Sequence, residues 1–192
     1  MSVSPIADRM LAYWFSGDAD ARKARWWSKS EATDNDIRER FGGHVDAAAA
    51  GAFDAWTETP RGTLALVLLL DQVTRTIHRG SPKSWAYDAK AREVARRALQ
   101  DGLDRQLATG PEKTFLYMPL MHSEQLADQE RCVALFEALA ESFPEAAGNA
   151  EFAEKHRVII ARFGRFPHRN AVLGRANTAD EAEFLSQPGS GF

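Results

Sequence analysis

The chain has a single cysteine, Cys132, among its 192 residues. That excludes an internal disulfide and a thiolate metal cluster, and it fits a reducing compartment. Long apolar runs are also missing. The longest, Leu64 to Leu70, falls far short of the roughly 20 residues a membrane-crossing helix needs. Asp8 and Arg9 come before any apolar stretch develops, which is not the layout of a signal peptide. A cytoplasmic protein with no membrane association is the expectation. Charge of one sign is scarce too. A formal net charge of -3 gives no global pull toward nucleic acid or an anionic surface. There is no Gly-x-Ser-x-Gly elbow, no glycine-rich phosphate loop and no dinucleotide fingerprint, so the sequence leaves any cofactor unknown. Alternating strand patterns are rare, and no internal repeat is visible.

What is there is an ordinary globular composition, 44% hydrophobic and 27% charged, enough for a sizeable core in one domain over residues 1–192. Helix signals recur along it. Ser4 and Pro5 read as an N-cap with proline at the first helical position, followed by Ile6, Met10, Tyr13 and Trp14 on one face. After Gly17 a polar loop is expected to lead to Trp26 and Trp27. Thr33 with Asp36 resembles a capping box for a helix carrying Ile37, Phe41 and Val45. The apolar run from Leu64 continues through Val73 and Ile77 at helical intervals, which predicts a helix buried nearly all round. Asp88 is expected to cap a helix with a narrow stripe of Ala91, Val94, Ala95, Ala98 and Leu99. Gly110 to Glu112 start another, which Pro119 is expected to kink or end. Further helices are expected around Val133 to Phe143, from Asn149 to Phe163, and after the Thr178–Glu181 capping box. The result is an all-α fold of antiparallel helix pairs, stacked as an array or closed into a compact bundle.

Three groups of residues could carry chemistry. Asp71 and Arg75 form an i,i+4 pair on the buried helix, with His78 and Arg79 following; an internal ion pair is favoured over a polar wall facing a groove. The second group is His122, Ser123 and Glu124. The Pro119 break would set them at a helix start, where free N–H groups bind anions. As a metal signal this His-x-Glu pair is weak, because neighbours one residue apart on a helix do not converge. The third group is the strongest. From Lys155 through Ala179 there is no Asp or Glu, while Lys155, Arg157, Arg162, Arg165, Arg169 and Arg175 contribute six positive charges. The remainder of the chain therefore carries -9. Gly164 and Pro167 force a tight turn that would aim Arg162, Arg165, His168, Arg169 and Arg175 together. Binding an anion and clamping the last helices onto acidic partners weigh equally for these arginines. His156, on an apolar face, reads as a hydrogen-bonded core residue, and Cys132 as a small core residue.

The sequence also resembles a known family nearly end to end. The matching stretches are Leu68-Leu69-Leu70-Asp71-Gln72, Gly102-Leu103-Asp104, Met118 through Glu124, Arg162 through Asn170 with Leu173-Gly174-Arg175, and the closing Pro188 through Phe192. These resemble the bacterial family catalogued as domain of unknown function 924. The resemblance implies a tetratricopeptide-like array of antiparallel helices and supplies no activity, cofactor or partner. Thr74 and Thr76 depart from it, standing where many relatives have proline or phenylalanine and asparagine.

The favoured reading is a binding module for a small anionic ligand or an acidic peptide end. Arg162, Arg165, His168, Arg169 and Arg175 would supply its positive side, and Asp71, Arg75, His122 and Glu124 would line the same groove. The alternatives are a hydrolase or lyase using histidine and carboxylate as acid and base, with or without a metal, and a scaffold for protein partners. Nucleic-acid binding ranks last, because the basic residues sit in one turn rather than on an extended face.

Overall fold

Ser4 and Pro5 open the first helix as their chemistry requires. Ser4 Oγ accepts the Ile6 N–H, and proline takes the first helical position, where its missing N–H leaves no bond unmade. The computed structural model describes residues 4–191, so Phe192 of the closing motif lies outside the described residues. Helix α1 (Pro5–Phe15) is followed by α2 (Ala19–Trp27) and α3 (Glu31–Phe41). The expected polar loop before Trp26 is thus a helix. It has no buried residue to give it an apolar stripe, and its signal was its cap: Asp18 accepts the Ala21 N–H at 2.8 Å. The start of α3 also differs from expectation. Ser30, not Thr33, is its cap, accepting the Thr33 N–H.

After the short α4 (Val45–Ala49), Phe53 and Trp56 stack 4.5 Å apart at a 3-10 turn. The central rod then begins. It consists of α5 (Pro60–Val67), a π-helical turn over Leu68–Val73 and α6 (Thr74–Ile77). Every residue from Gly62 to Thr74 is buried, as the unbroken apolar run predicted. The π-turn was not legible. It widens the helix by one residue per turn and shifts the face on which later side chains emerge. Thr74 steadies it by donating from Oγ1 to the Leu69 carbonyl five residues back, at 3.0 Å.

Helix α7 (Asp88–Gln100) presents its small-residue stripe to α5 and α8 (Gly110–Met121), and all five stripe residues are buried. Asp88 is the first residue of α7 rather than its cap, and its carboxylate reaches Arg75 instead. The Thr109–Glu112 capping box starts α8. Pro119 sits inside α8 without ending it, and the helix runs on to Met121. His122 is therefore the C-terminal cap of α8, and Ser123 and Glu124 lie in the link to α9 (Leu126–Ser142). The free N–H groups expected at His122 are not there. Helix α10 (Ala147–Phe163) ends at Gly164, whose φ of 67° belongs to the left-handed region that glycine enters freely. A 3-10 turn over Pro167–Arg169 leads on to α11 (Ala179–Leu185), opened by the Thr178–Glu181 capping box.

No strand forms among the described residues, and the fold is all-α. Helices α8, α9 and α10 pack in succession through short links, which makes neighbours antiparallel. The main core gathers Trp14, the α5 rod, Phe115 and Phe136, with a smaller cluster of Ile159, Ile160 and Phe166 under the last turn. Cys132 is fully buried in the main core, where burial pushes its thiol well up, as befits a packing residue. Among the described residues no helix is long and apolar enough to cross a membrane.

Candidate functional site

The π-turn sets Asp71 at the centre of a buried polar cluster. Its carboxylate is fully buried and carries three partners. Arg75 Nη1 donates to Oδ1 at 2.8 Å, His122 Nδ1 lies 2.7 Å from the same oxygen, and Gln72 Nε2 donates to Oδ2. Burial opposes its ionisation, but Arg75, His122 and Gln72 outweigh that and hold Asp71 far below the ordinary carboxylate range. Arg75 bridges onward, donating from Nη2 to Asp88 at 2.9 Å. The i,i+4 ion pair is thus present, and it extends in both directions into a network.

His122 follows from this arrangement. An ionised Asp71 can only accept, so Nδ1 of His122 carries the proton and donates it. Burial and the Arg75 charge lower the His122 pKa, and Asp71 only partly offsets them. The ring is therefore a neutral imidazole with an unprotonated Nε2. Among the described residues that nitrogen has no hydrogen-bond partner.

Next to this ring is a cavity of about 370 Å³, a volume within the range of small-molecule sites. Its walls come from α2 and the residues after it, Asp34 of α3, the end of the central rod, the turn at Ser84 and Trp85, the α8 terminus, His156 of α10 and the basic turn that follows it. The three histidines His122, His156 and His168 all line it. His156 donates from Nδ1 to the Phe152 carbonyl at 2.7 Å, and burial holds its pKa down to about 3. Burial and the neighbouring Arg169 hold His168 down to about 4. Both are uncharged at neutral pH. Around them stand Arg25, Lys29, Arg75, Arg79 and Arg169, against Asp34, Asp71 and Asp88. Among the described residues five positive charges face three negative ones. Among the described residues no set of three His, Cys, Asp or Glu side chains converges to hold a metal ion.

Arg169 is the most constrained of the cations. Its side chain is only 8% exposed. The guanidinium lies 4.4 Å from the Phe166 ring centre and 5.5 Å from that of Trp85. Nη2 donates to the His122 carbonyl at 3.1 Å, Nη1 comes only within 3.6 Å of Asp88, and Nε is buried with no partner among the described residues. Burial first, and then the neighbouring Arg75, lower its pKa to about 10, a large shift for an arginine. Among the described residues a guanidinium in that state is under-compensated: it has been removed from water without gaining a full counter-charge there.

The remaining cations of the basic turn are placed differently. Arg165 forks onto Glu181 at 2.6 and 2.7 Å and donates to the Ala176 carbonyl. Arg175 forks onto Glu124 at 2.8 and 3.0 Å, and Glu124 also accepts the Phe166 N–H. Burial works against ionisation of Glu124, yet these partners hold it below the ordinary range. Arg162 lies over the Phe163 ring on the surface. So Arg162, Arg165, Arg175 and Glu124 stand apart from the cavity, while Arg75, His122, His168 and Arg169 line it and Asp71 supports it from behind. Glu181 is almost fully buried, so Arg165→Met should leave its carboxylate with only the Thr178 N–H and Asn170 as partners. A lower urea midpoint is expected, with no change in what the cavity binds. An unmoved midpoint, as for an exposed pair, would show that the fork is not a clamp.

Sequence reasoning missed Trp85, Asp88 and the Arg25-Trp26-Trp27 segment. Asp88 was read as a cap. The run of one cation and two tryptophans was the available signal, but it lay in a stretch without apolar periodicity.

Comparison with known proteins agrees with the helical architecture. A family model described as bacterial protein of unknown function, DUF924, matches residues 10–189. The structure of a protein of unknown function from Agrobacterium tumefaciens superposes with a TM-score of 0.85 at 34% identity, covering 96% of this chain and 99% of that one. No curated protein matches the chain. With the family match spanning nearly its whole length, the chain belongs to the DUF924 family of bacterial proteins.

Proposed function

We propose that the protein binds a small anionic organic molecule in the histidine-lined cavity, with Arg169 and Arg75 taking its negative group. The observation that carries this reading is Arg169, a buried guanidinium on the cavity wall whose charge is incompletely compensated. A carboxylate or phosphate beside it would supply the missing counter-charge in a fork geometry that guanidinium groups favour. The excess of positive charge around the cavity supports the same sign of ligand. The proposed set is thus narrower than the basic turn as a whole: Arg75, His122, His168 and Arg169, with Arg25 and Lys29 adding positive potential.

The test is titration with inorganic phosphate and acetate at fixed ionic strength, followed by thermal unfolding. A ligand at 100 times its dissociation constant adds about 2.7 kcal/mol of stability, a shift of several degrees for a chain of this size. Arg169→Met should weaken binding by at least about tenfold, the loss of a charge-assisted hydrogen bond, while Arg165→Met leaves it unchanged. Equal loss in both variants, or saturable binding in neither wild type nor variant, would overturn the reading.

A second reading has its own observation. The Asp71–His122 pair leaves a neutral Nε2 beside the cavity, the arrangement of a general base oriented by a carboxylate. Hydrolase or lyase chemistry on the bound anion would use it. The mark of this reading is an activity that His122→Gln abolishes while anion affinity is retained.

A further inference from the structure

The cavity has a second chemical character that charge does not explain. Trp26, Trp27 and Trp85 all contribute to its lining. Three of the chain's five tryptophans thus gather at one site. Their exposures, and those of the charged groups, give the order of depth. Arg169 and His122 are 8% and 12% exposed, whereas Trp27 is 53% exposed and Arg79 is 44% exposed. Arg169 and His122 therefore lie on the floor, and Trp27 stands at the mouth.

Trp27 is held there rather than left loose. Its ring stacks on the fully buried Phe115, with an interplanar angle of 15°, and meets Trp26 edge-on. Trp26 is itself pinned by donating from Nε1 to the Trp14 carbonyl at 2.9 Å. One face of Trp27 is supported by the core, and more than half of its surface stays open. A rigid, backed and uncovered indole at the rim of a cationic cavity is a platform for a flat ring. Trp85 presents a second indole to the same cavity, with the Arg169 guanidinium over its ring.

Resting on the anion-binding reading above, we infer that the ligand is planar as well as anionic: an aromatic ring bearing a carboxylate or phosphate. The negative group would sit at Arg169 and Arg75, and the ring would lie against Trp27 with Trp85 nearby. A saturated acid of equal charge and size would satisfy the floor and leave the platform unused.

The experiment measures dissociation constants by calorimetry, at fixed ionic strength, for two matched pairs. The carboxylate pair is benzoate and cyclohexanecarboxylate; the phosphate pair is phenyl phosphate and cyclohexyl phosphate. Acetate and inorganic phosphate serve as references. The planar member of at least one pair should bind about three- to tenfold more tightly, the range expected for an aromatic pair beyond its buried area. Whichever pair binds identifies the anionic group. Trp27→Leu keeps an apolar side chain on Phe115 and should bring the planar-to-saturated ratio to within twofold, with the saturated ligand's affinity unchanged. Trp27→Phe should restore most of the preference. Binding of both members of a pair with a ratio under twofold in the wild type overturns the inference and leaves the anion reading standing. So does a preference that survives Trp27→Leu. Binding of none of the six probes overturns both.

Discussion

Asp71→Ala is expected to cost about 3–5 kcal/mol of stability, the penalty for stranding a buried charge by deleting its partner. For a chain of this length that lowers the melting temperature by on the order of 10 °C. The carboxylate is fully buried and is the shared acceptor for Arg75, His122 and Gln72. Its removal leaves a guanidinium with Asp88 alone, an imidazole whose Nδ1–H has lost its acceptor, and an amide without its bond. Asp71→Asn keeps the shape and one acceptor oxygen but not the charge, and should lie between wild type and alanine. The double variant Asp71→Leu, Arg75→Met removes both charges of the pair. It should be less destabilised than the sum of the single changes, because neither charge is then buried alone. Urea unfolding of the wild type, the alanine and asparagine variants, the double variant and its two single changes, Asp71→Leu and Arg75→Met, decides the matter. A loss below about 1 kcal/mol for Asp71→Ala, within the range of exposed pairs, would mean that water enters the cluster.

The same cluster shows why the fold was more legible in the sequence than the site. Helices announce themselves locally. The Thr109–Glu112 and Thr178–Glu181 capping boxes, the Ser4-Pro5 start and the small-residue stripe of α7 each need only a few neighbouring residues, and each is present. Where a local signal was missing or had two readings, expectation failed. Helix α2 buries nothing and so has no apolar period, and Pro119 is tolerated within α8 among buried neighbours. The site depends on contacts far apart in sequence. His122 meets Asp71 across 51 residues, and Arg175 meets Glu124 across 51. Composition marked the basic turn correctly as unusual, but six cations without an acid nearby can face a ligand or face carboxylates from elsewhere. The turn divides: Arg169 lines the cavity, and Arg165 and Arg175 go to Glu181 and Glu124. Only the three-dimensional partners separate the two uses. The π-turn is also hidden, because an unbroken apolar run looks the same with or without one extra residue in a turn.

Stability should fall as the pH is lowered from about 7 to 5, before the carboxylates of the ion pairs begin to titrate. Burial holds His156 at about 3 and His168 at about 4, while the same side chains in the unfolded chain titrate near 6.5. Between those limits the unfolded chain binds more protons than the folded one, so acid favours unfolding. Each histidine contributes a slope of about 1.4 kcal/mol per pH unit at full effect. His122 is lowered in the same direction. The carboxylates act later. Asp71, Glu124 and Glu181 are all depressed, Glu181 to about 2, so their stabilisation is complete above their unfolded values near 4 and is lost only below them. Urea midpoints at pH 7.5, 6.0 and 5.0 isolate the histidine window. Replacing His156 by Gln should flatten that dependence by close to one proton's worth. A midpoint that does not move over this range would show that the histidines accept protons inside the folded protein without penalty, and hence that the cavity is wetter than its burial indicates. Arg169 and His122 act electrostatically on both His156 and His168, and Arg175 and Glu124 act on His168 from outside the cavity. Cations thus dominate, and a bound anion would reverse that balance and favour the protonated rings. Saturating phosphate should therefore make the acid slope shallower in the wild-type protein and should have less effect in Arg169→Met, which ties the pH behaviour of the fold to occupancy of the cavity.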